Sequence, residues 1–220
     1  MTPLVLVATG FNREVRTLPT EGVLAVAGGG DAVALERNLT ALAPRVAGIV
    51  SYGLTGALHD DLRIGDWIVG DRICGAVDMS CDPGWAHALA ARLPGARIGG
   101  FFADGRMIDT VAEKRDLGRC HAALAVDMES HVAAAVARAH RLPFAIVRIV
   151  SDEAGHLLPP AITVCMRPDG SLDTLAMLKS LAVHPGQTAD VARTMANFAR
   201  GFRGLKAGAK LLGTRMAFPA

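Results

Sequence analysis

The sequence predicts an α/β fold, a single three-layer domain with helices on both faces of a central twisted mixed sheet. Two observations carry this expectation. Nearly continuous apolar runs, at 4–9, 23–27, 46–51 and 144–150, have the composition of strands covered on both faces. Stretches of helical composition separate them, and strands alternating with helices build a sheet sandwiched between helical layers.

Taken in order, strand 4–9 ends just before Phe11-Asn12-Arg13-Glu14, which reads as a loop able to hold an anion or a water, or as the first exposed turn of a helix. After strand 23–27, Gly28-Gly29-Gly30 leads to Asp31, a suitable N-cap for a helix over 31–43. Strand 46–51 runs into Gly53-Leu54-Thr55-Gly56-Ala57-Leu58, where glycines either let the backbone approach a ligand or make a tight turn. Neither glycine segment is a phosphate-loop signature. Further strands are expected at 66–73 and 97–102, and helices at 85–93, 111–119 and 128–141, the last closed by Leu142-Pro143. Beyond strand 144–150, Pro159-Pro160 and Pro168 interrupt any periodicity over 155–170. A variable insertion over 155–190, with a helix at 172–181, then gives way to a long helix over 188–212. The segment 188–220 forms a C-terminal helix with a basic tail. Residues 1–220 make one domain without internal repeats.

Charge narrows the function. With 23 Lys and Arg against 21 Asp and Glu, the formal net charge is +2. That excludes a nucleic-acid partner held by phosphate neutralisation. No acid follows Asp190, whereas Arg193, Arg200, Arg203, Lys206, Lys210 and Arg215 do. The tail is either a solvated helix or one drawn to anionic lipid as a peripheral membrane contact. The four cysteines form no CxxC pair and read as reduced thiols of a cytoplasmic protein. The seven histidines show no ligand spacing, so no metal is expected. The apolar run 4–8 is too short for a signal peptide, and no run reaches the length of a membrane span.

Two carboxylates stand out. Glu129 sits at the start of the helix over 128–141, and Asp152 follows strand 144–150 beside Ser151. Ligands of open α/β sheets bind beyond the carboxyl ends of the strands, so both acids are placed for a site. Two acids there can divide proton donation from hydroxyl binding. The plainer readings are a helix-dipole acid for Glu129 and a cap for Asp152. Arg148, in an otherwise apolar strand, needs a carboxylate or carbonyl partner and reads as a structural ion pair.

The order of Glu14-Val15, the segment 53–58, Leu62-Arg63-Ile64-Gly65-Asp66, Val126-Asp127-Met128-Glu129 and the run from Pro143 to Ser151-Asp152 resembles the nucleoside phosphorylase superfamily. Within it, the methylthioadenosine/S-adenosylhomocysteine nucleosidase branch is nearest over the first two thirds of the chain. The final third looks like the hopanoid-associated phosphorylase group. The resemblance implies an enzyme that cleaves the N-glycosidic bond of an adenine nucleoside, either small or lipid-linked. Adenosylhopane would be the substrate in hopanoid lipid biosynthesis, and the protein a homo-oligomer, a dimer being favoured. It implies Asp152 as the acid at purine N7, Glu129 as the ribose-hydroxyl ligand with Met128 packed against it, and Glu14 as the carboxylate that orients a water. Ser151, Thr55 and Gly56 would line the substrate, and Met107 would fall where an aromatic side chain often faces the base. No cofactor is implied, though phosphate could be a co-substrate, with Arg13 as an anion ligand. Two positions depart from phosphorylases: Leu54 stands where a phosphate-holding Ser or Thr is usual, and Ser51 where an arginine is expected. The alternatives are a methylthioadenosine/S-adenosylhomocysteine-type nucleosidase and a non-catalytic nucleoside- or amphiphile-binding protein.

Overall fold

The computed structural model describes residues 4–108, 110–157 and 185–219, with 159, 179 and 183 as isolated positions. The strands are β1 (Leu4–Thr9), β2 (Val23–Ala27), β3 (Val46–Ala57), β4 (Trp67–Gly75), β5 (Met79–Ser80), β6 (Arg97–Ala103), β7 (Ala123–Val126) and β8 (Phe144–Asp152). The helices are α1 (Asn12–Val15), α2 (Ala32–Leu42), α3 (Pro83–Arg92), α4 (Val111–His121), α5 (Ser130–His140) and α6 (Thr188–Leu212). All but position 179 of the predicted helix over 172–181, most of the irregular segment 155–170, and Cys165 lie outside the described residues.

One mixed sheet organises the molecule. β2, β1 and β3 lie parallel. From β3 the pairing runs through β8, β4, β6 and β7 and returns to β3, so five strands close into a ring. The closure depends on β3, which is longer than its apolar run suggests. Of the two readings of 53–58, the tight turn does not form; the strand continues to Ala57. β1 pairs with β3 as far as Ser51, and β7 joins the same strand at Gly56. Between them the ladder on that edge opens, and the backbone of Leu54 turns to side chains for partners.

Burial on both faces explains why β1 is apolar from Leu4 to Ala8. Leu6 and Ala8 pack against Leu35 and Leu39 of α2 and Val136 of α5. Val5 and Val7 pack on the other face against Trp85 and Leu89 of α3 and Leu205 and Leu212 of α6. Each fully buried Leu of this kind contributes about 1.5–3 kcal/mol of transfer free energy. Helix α6 lies close on the sheet because its inner face is small: a Cβ at Gly204 would collide with Ile149, and one at Gly208 with Trp67. Its outer face exposes Arg200, Arg203, Lys206 and Lys210, while Arg193 pairs with Asp190 at 2.7 Å. No described helix is long and apolar enough to cross a membrane. Helix α5 begins at Ser130 rather than at Met128, because Asp127 accepts from the backbone N–H groups of Glu129 and Ser130 at 2.9 and 2.7 Å and holds the turn before it. β7, a four-residue Ala-rich strand, carries too little β-character to stand out from the sequence.

Candidate active site

A cavity of about 570 Å³ opens where the β3 ladder parts. Its walls come from chain segments that leave the strands: Gly10-Phe11 after β1, Gly29–Ala32 after β2, Arg106-Met107-Ile108 after β6, Asp127-Met128-Glu129 after β7, and Ser151-Asp152 at the end of β8. Leu54, Thr55 and Gly56 of β3 complete the floor, with Lys114 of α4 and Phe198 of α6 at the sides.

Three carboxylates converge here, each opposite a glycine. A Cβ would stand 3.1 Å from Glu129 Oε1 at Gly10, 2.5 Å from Glu14 Oε1 at Gly53, and 3.0 Å from Asp152 Oδ2 at Gly56. The glycines of 53–58 therefore serve as room for acids beside an extended strand, which is why the glycine pattern resembled a turn. Glu14 is 1% exposed. Its Oε2 accepts from the N–H groups of Gly10 and Phe11 at 2.7 and 2.9 Å, and its Oε1 from that of Leu54 at 2.7 Å. Desolvation raises its pKa, against the opposing pull of Arg148 and these N–H donors.

Beneath Glu129 lies Arg148, 1% exposed. Its Nη1 donates to Leu54 O at 2.9 Å, and its Nη2 to Ser51 Oγ at 2.8 Å and to Glu129 Oε2 at 3.2 Å. Nε stands 3.2 Å from Asp127 Oδ2, an ion pair without hydrogen-bond alignment. The Ser130 hydroxyl lies 2.8 Å from Ser51 Oγ and 2.6 Å from Asp127 Oδ2. The structural ion pair read from Arg148 is thus present, and both of its carboxylate partners, Asp127 and Glu129, belong to the cavity wall. Burial pushes the Glu129 carboxyl up to about 7, reinforced by Asp127 and Glu14 and opposed by Arg148.

That value has a consequence for stability. A carboxyl whose folded pKa exceeds its unfolded one favours the native state most when protonated; the contribution is complete below about 4.5 and is lost as pH rises through about 7. The ligand-free protein should therefore melt at lower temperature at pH 8 than at pH 5.5, and Glu129→Gln should flatten that fall. Equal slopes for the two proteins in a thermal melt series would refute the assignment.

Asp152 is held by Lys114, whose side chain is only 4% exposed and whose ammonium pairs with Asp152 Oδ2. The same Nζ donates to His156 O at 2.8 Å and Glu153 O at 3.3 Å. Desolvation raises the Asp152 pKa, with Lys114 opposing it.

Of the residues singled out from sequence, Asp152, Glu129, Met128, Ser151, Met107, Gly56 and Thr55 all line the cavity. The Thr55 hydroxyl donates to Val126 O at 2.7 Å, which fastens β3 to β7. Glu14 lies behind the lining, covered by Gly10, Phe11 and Leu54. Arg13 is the exception: it points away to Phe202, its guanidinium 4.3 Å from the ring centroid, and it does not line the cavity. Sequence reasoning missed Lys114, Phe198 and Arg106. Lys114 sits in a helix of mean polar character among Glu113, Arg115 and Asp116, and no spacing distinguishes it from a solvated lysine. Among the described residues no cluster of His, Cys, Asp or Glu could hold a metal ion.

A sequence model of the Phosphorylase superfamily matches residues 100–164, the stretch that carries Lys114, Asp127, Glu129, Arg148 and Asp152. Curated proteins yield no significant sequence match. Solved structures match over almost the whole chain. Futalosine hydrolase of Helicobacter pylori superposes with a TM-score of 0.67 at 14% identity, covering 98% of this chain and 97% of its own. The 5′-methylthioadenosine/S-adenosylhomocysteine nucleosidase of Helicobacter pylori gives 0.66 at 14% identity, covering 97% of each chain. The MTA/SAH nucleosidase of Streptococcus pneumoniae, solved with 8-aminoadenine, gives 0.62 at 15% identity, covering 90% of this chain and 99% of its own. The chain has their fold. The α/β class and the single mixed-sheet domain expected from sequence are borne out, and the cavity lies at the carboxyl ends of that sheet's strands.

Proposed function

We propose that the protein cleaves the N-glycosidic bond of an adenine nucleoside, with water as the acceptor. The observation that carries this reading is a cavity at which Glu14, Glu129 and Asp152 converge and in which, among the described residues, every lining cation already has its donors engaged by protein oxygens. Lys114 is bound to Asp152, and Arg106 to Asp104 and Glu113 at 2.8 and 3.2 Å. Arg148 is engaged by Glu129, Asp127, Ser51 and Leu54 below the floor. Among the described residues, then, no uncommitted cation of the cavity is left for a phosphate dianion, whereas a neutral water needs none.

The chemistry suits these groups. Departure of a base from a sugar passes through an oxocarbenium-like state. Glu129 at the sugar would accept ribose hydroxyls and stabilise the positive charge, with Met128 beside it. Asp152 would give a proton to N7 so that adenine leaves neutral. Glu14, close enough to Glu129 to raise its pKa, would orient the attacking water.

The apolar lining from Phe11, Leu54, Met107, Ile108 and Phe198 favours a nucleoside with an apolar 5′ substituent. A lipid-linked nucleoside such as adenosylhopane fits that lining, as does a small 5′-thioadenosine. Adenine release should be measured with 5′-methylthioadenosine and with a 5′-alkyl adenosine of long chain, each with and without phosphate. The expected result is equal release in both buffers, a free sugar as co-product, and faster turnover of the long-chain substrate. Release that requires phosphate would replace water as the acceptor, and faster turnover of methylthioadenosine would favour the small-nucleoside reading. Binding without release would leave a nucleoside-binding protein.

A further inference from the structure

We propose that Lys114 is a positioning residue for the acid of this site: its ammonium, fixed on one oxygen of Asp152, stabilises the carboxylate that forms when the other oxygen gives its proton to the leaving base. This inference rests on the nucleosidase reading above and adds to it a residue from a separate element, α4.

The geometry is specific. An ammonium has three N–H donors, and three oxygens surround Lys114 Nζ: Asp152 Oδ2, Glu153 O and His156 O. The two carbonyls hold the ammonium at Oδ2 independently of the carboxyl's charge, so it does not follow the proton or drift to solvent. The lysine stem is buried on the inner face of α4, anchored by the Thr110 cap, whose hydroxyl accepts from Glu113 N at 3.1 Å. Among the described residues, the other groups facing Asp152 are few. His156, Glu153 and Ser151 belong to its own segment, and β3 and β7 present Gly56 and Val126. Arg106, elsewhere on the cavity wall, is tied to Asp104 and Glu113.

The step balances without a further reactant. The proton leaves Asp152 Oδ1 for N7, the C1′–N9 bonding pair goes to adenine, and water supplies hydroxide equivalents to C1′ while its proton passes to a base such as Glu14. Asp152 is neutral before this step and anionic after it. A hydrogen bond from a cation to a carboxylate is stronger than one to a neutral carboxyl, so Lys114 binds the transition state more tightly than the ground state. The same preference makes Asp152 a stronger acid, which moves the pH at which it loses its proton downward.

Lys114→Met, which keeps the stem and removes the charge, separates this from a structural role. Two opposite movements are expected in the pH profile of kcat for adenine release. The acid-side plateau should fall about tenfold or more. The descending limb, where Asp152 ionises, should move to higher pH. Lys114→Arg should restore the limb towards its original position. A Lys114→Met enzyme that melts like wild type but loses activity by the same factor at every pH overturns the proposal, as does an unchanged plateau. Should Lys114→Met fail to fold, Lys114→Arg decides: a limb displaced upward as if the charge were gone overturns it. If the wild-type protein releases no adenine from any substrate, the nucleosidase reading itself fails and takes this inference with it.

Discussion

Asp152→Asn should lower kcat for adenine release by about 10²–10⁴-fold, the usual worth of a general acid, with a small change in KM. Asparagine keeps the shape and can still hydrogen-bond the base, so binding survives while proton transfer does not. Its effect on the fold should be modest, because Lys114 keeps its bonds to the carbonyls of Glu153 and His156 when the carboxylate is gone. A melting temperature near that of wild type, measured beside the kinetics, makes the loss attributable to chemistry. Full activity in this variant would sink the assignment of Asp152, and a loss confined to KM would make it a binding group only.

The sequence revealed the fold and two walls of the site for one physical reason: both depend on local signals. Continuous apolar runs specify buried strands, and Asp31 caps α2 as its position suggests, accepting from Ala34 N at 2.9 Å. Glu129 and Asp152 follow strands closely enough that chain order alone brings them to the carboxyl edge. What escaped notice is set by partners distant in sequence. Lys114 differs from its exposed neighbours Arg115 and Asp116 through Asp152, 38 residues later, and the carbonyls of Glu153 and His156 just beyond it. Arg148 reaches Asp127 and Glu129 because β8 lies beside β3 and the ladder between β1 and β7 leaves a gap. Glycine signals a turn and a close approach alike, so sequence leaves both open over 53–58; only the opposing carboxylates beside the extended β3 tell them apart. Arg13, next to Glu14 in sequence, points the other way because α1 is helical and adjacent residues on a helix do not share a face.

Arg148→Met should be the most destabilising single change at this site, by about 3–5 kcal/mol, the usual result of stripping a buried charge network of its counter-ion. The guanidinium is the common partner of Asp127, Glu129 and the backbone of Leu54, and it faces Glu14 electrostatically. Its removal leaves three buried carboxyls to repel one another and Leu54 O and Ser51 Oγ without their donor. Methionine matches much of the stem, so the loss measures charge rather than volume. Urea unfolding at pH 7.5 should show the full deficit. Without Arg148, the Glu129 and Glu14 carboxyls should be pushed further above their unfolded pKa values, so each should favour the fold when protonated and oppose it when ionised. The deficit should therefore shrink as pH falls towards 5. The triple variant Arg148→Met, Asp127→Asn, Glu129→Gln should recover part of it, since neutral amides remove the repulsion that the guanidinium had held in check. A deficit that is the same at both pH values, and unrelieved in the triple variant, would mean that Arg148 acts by packing. Arg148 would then be holding the β3–β8 seam together and not the acids above it.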